Sequence, residues 1–270
     1  EFVGLDKKNK NGEYHNLSFN TAFGYKLNSK WTVKYFNSIF DGKKNLSGTI
    51  SSNSSSKYDD YNVRNLLEFK NNSSVYESNF KAYHLTESFQ YFENKNKDIF
   101  STAQVKTSLF RYEGYLKSIK KIHFKPIIEH QIFEGIGENI GKNTRRNTSV
   151  SSLFTYNFKK NLLFEGSVRK EFSSAFESPI LYAIGTRADL AKWYNVKINY
   201  SKNYRVPTFN DLFWYAGGNL NLKAESVYQY EITNEFLYKS FQFQATGFYN
   251  DFQNLLKWTP NEVGMWTPEN

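Results

Sequence analysis

The side chains that most often do chemistry are sparse in this chain and poorly grouped. Its four histidines, His15, His84, His123 and His130, are the obvious metal candidates. His123 and His130 are an odd number of residues apart, so on an extended chain they point to opposite faces and cannot share an ion. His15 and His84 each stand alone, and all four read as wall-lining or interfacial side chains. The absence of cysteine excludes disulfides, thiolate zinc sites, iron–sulfur ligation and a cysteine nucleophile together. No serine sits in a Gly-x-Ser-x-Gly elbow, and Glu129 and Glu134 have no partner of defined geometry. The adjacent Asp59 and Asp60 belong to a Ser-rich loop, 47–60, where carboxylates are ordinarily solvated. These residues assemble no enzyme, and no cofactor or metal is expected. The chemistry on offer is aromatic recognition. Phe209, Phe213, Trp214 and Tyr215 in one segment, and Trp258 and Trp266 in another, are able to stack on a flat ligand or a sugar. The same rings also suit packing of their loops together.

The elements that must carry those rings are set by composition and period. The 270 residues include 25 Phe, 20 Tyr and 5 Trp, an aromatic share of 19%, yet the mean hydropathy is −0.66. A disordered chain lacks such apolar surface, and a soluble domain of this size carries a denser aliphatic core. No stretch approaches the ~18–20 apolar residues of a helical membrane span. The N-terminus, Glu1-Phe2-Val3-Gly4-Leu5-Asp6, has no initiator Met and no apolar signal core, so a removed signal or an internal start is expected. A net charge of +9 allows nucleic acid or a lipid headgroup surface as partner, but the bases are scattered. Lys120-Lys121 and Arg145-Arg146 are only doublets, so no nucleic-acid partner is expected.

Apolar residues recur at every second position, which is the strand signature. Tyr194, Val196, Ile198 and Tyr200 face one way while Asn195, Lys197 and Asn199 face the other. Similarly, Phe241, Phe243, Ala245, Gly247 and Tyr249 oppose Gln242, Gln244 and Thr246. Such dyads place strands at 13–26, 30–40, 61–70, 75–87, 99–110, 118–133, 147–158, 162–174, 180–188, 192–200, 226–238 and 241–250. That makes about twelve, many near the ~9–11 residues a tilted strand needs to cross a bilayer. The connections 27–29, 71–74, 111–117, 159–161, 189–191 and 239–240 are short or fairly short. Between them, 41–60, 88–98, 134–146 and 204–225 are long, 175–179 is intermediate, and a long segment opens near 255. Antiparallel pairing then gathers tight turns at one end and long loops at the other, the asymmetry of outer-membrane barrels. Trp31, Phe40, Tyr61, Phe110, Phe133, Tyr156, Phe158, Trp193 and Tyr238 near strand ends fit an interfacial aromatic girdle. No repeat of ~40–50 residues supports a propeller, and sandwich loops do not alternate so regularly. The expected fold is all-β, an antiparallel transmembrane β-barrel.

One segment carries a spaced motif. Within 199–231 stand Tyr204, Arg205, Pro207, Thr208, Asp211, Leu212, Phe213, Gly218, Asn219, Leu222, Lys223, Glu225 and Glu231. The order resembles the barrel signature of TonB-dependent outer-membrane receptors: an aromatic-Arg-x-Pro-Thr strand end, Asp-Leu-aromatic, then Gly-Asn-x-x-Leu-Lys-x-Glu. Leu220 and Ala224 stand where that family usually has proline. Physically, Pro207 ends a ladder because it has no N–H to donate, and Gly217-Gly218 permits a tight turn. Arg205 is able to brace the loop against Asp211 or Glu225. These residues are expected to shape the loop rather than touch a ligand. A second stretch, 250–270, resembles cobalamin-receptor-like members from Bacteroidetes-type bacteria through Trp258, Pro260, Trp266, Pro268 and Asn270.

The resemblance implies a barrel of about 22 strands with a plug in its lumen. Residues 1–270 are then expected to be part of one barrel domain, with the plug, the first strands and the last strands elsewhere in a longer chain; a complete twelve-strand barrel is the competing expectation. The function implied is energy-coupled uptake of a scarce nutrient, cobalamin or an iron chelate, by a multi-pass protein of the outer membrane. Implied partners are membrane lipid and lipopolysaccharide, the energy-coupling protein acting through the plug, and a surface lipoprotein or larger outer-membrane complex. A scaffolding barrel that transports nothing, and a passive porin-like channel, are the alternatives.

Overall fold

The computed structural model describes residues 10–49, 51–117 and 121–270. Twelve strands form one sheet in which each pairs, antiparallel, with its neighbours in sequence. They are β1 (Tyr14–Lys26), β2 (Trp31–Asn45), β3 (Lys57–Asn72), β4 (Tyr76–Phe92), β5 (Ser101–Leu116) and β6 (Ile122–Gly137). Then come β7 (Gly141–Lys159), β8 (Leu162–Ser173), β9 (Leu181–Ala191), β10 (Tyr194–Arg205), β11 (Glu225–Tyr238) and β12 (Phe241–Gln253). A short helix, α1 (Phe209–Phe213), lies between β10 and β11, and β13 (Lys257–Pro260) pairs with β14 (Trp266–Glu269) after the sheet. Among the described residues, β1 and β12 pair on one side only, so the sheet has two open edges.

The period of two sorts the side chains by face. Val196 pairs across from Asn234, Ile198 from Ile232 and Tyr200 from Tyr230. On the opposite face Lys197 meets Thr233 and its ammonium lies 3.4 Å from Glu235. Phe19, Phe80, Phe154, Ile184 and Phe243 share the apolar side and stay exposed. The polar side is where burial occurs: Glu129, Asn147, Ser149, Glu171, Asn195 and Thr233 are all buried. Charges there are paired across strands. Glu113 takes Lys125 at 2.7 Å, Arg111 at 2.6 Å and Lys81 at 3.6 Å. Glu129 takes Arg111 at 3.1 Å and Arg169 at 3.4 Å, and Arg169 also reaches Glu171 at 3.0 Å. An ion-pair ladder thus ties β4, β5, β6 and β8 along one wall. A sheet with apolar side chains outside and charge inside is the two-faced wall of a membrane barrel.

All twelve expected strands are present, and most run further than their apolar dyads. The expected long loop 134–146 is the main correction: β6 continues to Gly137 and β7 begins at Gly141, leaving the turn 138–140. Glu134, Lys142, Asn143 and Thr144 are polar, so side-chain alternation is silent there, whereas the backbone ladder is indifferent to polarity. The 19 residues of β7 extend ~63 Å at ~3.3 Å each, far beyond an apolar band of ~25 Å. The polar run through 134–146 fits the part of β6 and β7 that lies outside an apolar band of that height. The first positions of the expected strand 118–133, and the N-terminal Glu1–Asp6, fall outside the described residues.

The girdle also needs correction. Trp31, Tyr61, Phe110, Phe158, Trp193 and Tyr238 are exposed, and Trp193, Tyr194, Phe236 and Phe243 form a chain of ring contacts of 4.6–6.2 Å at the turn end. Phe40, however, opposes Asn62 with its ring beside Gly42, and Phe133 opposes Arg145, so both lie on the polar face. Aromatic identity alone gave no phase for those strand ends.

Candidate functional site

The motif builds a capped loop at the long-loop end. Ladder pairing of β10 stops at Arg205, opposite Glu225, and Pro207 follows with its ring buried. Thr208 then caps α1: its hydroxyl accepts from the Asp211 N–H at 3.1 Å, while the Asp211 carboxylate accepts from the Thr208 N–H and hydroxyl at 2.8 Å each. This reciprocal box satisfies N–H groups that a helix start leaves open. Leu212 and Leu222 are buried beneath the loop. The chain turns at Gly217-Gly218, where the reason for glycine is close approach rather than an unusual φ. A Cβ on Gly218 would lie 2.6 Å from the Trp214 nitrogen and 2.7 Å from the Leu212 oxygen. Of the two braces open to Arg205, the structure uses Glu225, in a bidentate pair at 2.9 and 3.1 Å.

Asp211 serves a different partner. Its other oxygen accepts from the Trp258 indole N–H at 2.9 Å, and the Trp258 ring meets Trp214 edge-on at 5.6 Å. The β13–β14 hairpin and the residues flanking it are bonded to the loop before β11 and to the first residue of β11. Asn219 donates to the Pro268 carbonyl at 3.1 Å, the Lys223 N–H to Asn270 at 2.7 Å, and the Leu256 N–H to Glu225 at 2.9 Å. Loop and hairpin therefore form one packed unit. On its inner side Arg145 of β7 donates to the Pro207 carbonyl at 2.8 Å, with its guanidinium 5.1 Å from the Phe209 ring and 5.4 Å from Phe176. The Tyr215 N–H donates to the Asn139 carbonyl at 2.8 Å, which joins the unit to the turn 138–140. A cleft of about 380 Å³ remains between α1 and the rim of β4, β5 and β6.

The six aromatic candidates thus divide. Phe209, Trp214 and Trp258 are held in loop packing, although Phe209 and Trp214 also line the cleft. Phe213 is half-buried, whereas Tyr215 and Trp266 are 91% and 56% exposed. Lys223 enters through its backbone, and Glu231 lies further down the wall, accepting from Asn199 at 3.2 Å. Of the histidines, His123 bonds Tyr115 at 2.5 Å on the polar face, while His130 bonds Thr148 at 2.8 Å on the other. The reading by residue type weighs Arg145 only as half of a basic doublet too short for nucleic acid and misses its place in the loop unit. Alternation splits the pair, placing Arg145 on the buried side.

Comparison with known proteins agrees with this architecture. The family model described as TonB dependent receptor-like, beta-barrel, matches residues 3–270. A vitamin B12 transporter, BtuB, of Photobacterium profundum is 26% identical over 187 residues, 66% of this chain and 31% of that protein. Among solved structures, the siderophore receptor PirA from Pseudomonas aeruginosa superposes with a TM-score of 0.81 at 13% identity, covering 95% of this chain and 51% of that one. The copper transporter OprC gives 0.80 at 11% identity, over 96% and 50%. At such identities the likeness is one of fold. The chain spans about a third of the length of that curated relative and about half that of the solved barrels. With the two-faced twelve-strand wall and the capped loop matched along nearly its whole length, the chain belongs to the TonB-dependent receptor-like β-barrel family.

Proposed function

We propose that this chain is the barrel wall of an energy-coupled receptor that takes up a scarce nutrient, a corrinoid or an iron chelate, across the outer membrane. As a member of its family it is an outer-membrane protein that crosses with strands. The observation that carries the uptake reading is the division of the wall into an apolar outside and a charged, ion-paired inside. That division lines a lumen with solvating groups and is capped at one rim by the α1 unit. A lone open sheet would leave edge N–H and C=O groups unpaired in hydrocarbon. The remaining strands and a plug are therefore assigned to a longer protein, in keeping with the greater length of the relatives. The energy-coupling protein acts through that plug. Membrane lipid and lipopolysaccharide cover the outer face, and a surface lipoprotein or larger complex is a further partner at the rim.

The preference for a corrinoid draws on the B12 transporter among the relatives and on the Trp258-x-Pro260 and Trp266-x-Pro268-x-Asn270 pattern of cobalamin-receptor-like proteins from Bacteroidetes-type bacteria. No catalytic role is assigned, and Phe209, Phe213, Trp214, Tyr215, Trp258 and Trp266 are offered as ligand contacts at the rim. The test is uptake by cells carrying or lacking the full-length receptor, with cyanocobalamin and ferric chelates as labelled solutes. Receptor-dependent accumulation of one of them is expected. Equal entry of unrelated small solutes would favour a passive channel, and no entry of any would favour a scaffold.

A further inference from the structure

The cleft beneath α1 has a definite chemical character. Its apolar walls are Phe89, Ala103, Val105, Ile140, Phe209 and Trp214. β6 approaches it through glycines: Gly137 is part of the lining, and Gly135 lies against the Phe209 ring. A Cβ on Gly135 would lie 2.7 Å from the Phe209 ring, and one on Gly137 would lie 2.9 Å from that of Ala103. The polar lining consists of neutral hydroxyls and amides, with no acid, base or histidine among its residues. Among the described residues, the side chains of Ser101, Asn139 and Asn210 make no hydrogen bond within the protein, so their donors and acceptors are free to serve an occupant. Arg145 is close but screened: it stands behind the Phe209 ring and is engaged by the Pro207 carbonyl.

We infer that this cleft receives an uncharged, ring-sized, hydrogen-bonding part of the transported solute, an assignment that rests on the uptake reading above. Flat aromatic walls favour a ring, and unpartnered amides suit the edge of a heterocycle. The lining holds no cationic side chain to offset the hydration an anion would lose on entering. The volume lies at the small end of the usual range for ligand sites, so it suits one ring system rather than a whole chelate.

The experiment uses the full-length receptor in detergent and two probes of similar ring area: benzimidazole, neutral at neutral pH, and the anion 2-naphthalenesulfonate. Binding is followed by saturation-transfer NMR. Benzimidazole is expected to bind at least about tenfold more tightly than the sulfonate, since only the latter has a charge to desolvate. Filling the cleft by Ala103→Phe, or independently by Val105→Phe, is expected to abolish benzimidazole binding. Sulfonate binding as tight as benzimidazole, or benzimidazole binding that survives both substitutions, would overturn the assignment. Benzimidazole binding lost on filling, in a receptor that takes up no solute, would support the cleft and count against the transport reading alone.

Discussion

Replacing Asp211 by alanine in the full-length receptor removes three hydrogen bonds at once. The Thr208 N–H and hydroxyl lose an acceptor at 2.8 Å each, and the Trp258 indole N–H loses one at 2.9 Å. Loss of the helix cap is worth about 1 kcal/mol. An indole N–H left half-buried without an acceptor costs about 1–3 kcal/mol more. The sum, about 2–4 kcal/mol, falls on the unit formed by α1 and the β13–β14 hairpin and not on the sheet, because no ladder bond involves Asp211. At 1.4 kcal/mol per tenfold, local opening becomes between about 30-fold and 700-fold more frequent. Hydrogen exchange reads this directly. Amides of 211–219 are expected to exchange faster by that factor while amides of β10 and β11 keep their protection. Trp258 emission should shift to the red as the ring leaves Trp214. Unchanged exchange at 211–219, or collapse of the whole barrel, would refute the argument that Asp211 joins helix and hairpin as a local latch.

Other substitutions probe the wall and the rim. Ile198→Arg places a charge on the apolar face and is expected to cost about 2–4 kcal/mol in folding into lipid if it lies at mid-bilayer depth; Lys197→Ala, on the inner face, serves as the mild control. Arg205→Ala removes a bidentate pair whose arginine is more than half exposed, so its effect on stability should be only about 0–1 kcal/mol. Glu225→Ala should exceed it, because the Leu256 N–H also loses its acceptor; equal effects in a denaturant titration would refute that ordering. Cysteines at Asn53 and Lys142 should label from outside intact cells while one at Asn72 should not. Labelling at Asn72 alone would invert the assigned orientation.

The strands were legible because burial is one-sided. Wherever apolar and polar residues alternate, as in β10 and β12, period and phase follow from the sequence. Legibility failed where both faces are wet, which is why β6 and β7 run to a tight turn through 134–146. It failed again for short elements that lack any period. Helix α1 announces itself only through Thr208 and Asp211, three apart as a capping box requires, and that spacing was available to be read. The β13–β14 hairpin has its turn signal at Asn261 and Gly264, the latter at φ +78°, but its strands are too short to show alternation. Long-range partners had no local mark at all. Nothing near Asp211 points to Trp258, and nothing near Arg145 points to the Pro207 carbonyl, since both contacts arise from how the loops fold over the rim.

Accumulation of labelled cyanocobalamin in cells carrying the full-length receptor measures energy coupling directly. Cells should accumulate the label against its gradient, and a protonophore should stop accumulation while leaving surface binding intact. Entry that merely follows the outside concentration, unchanged by the protonophore, would contradict the receptor reading and leave a passive barrel in its place.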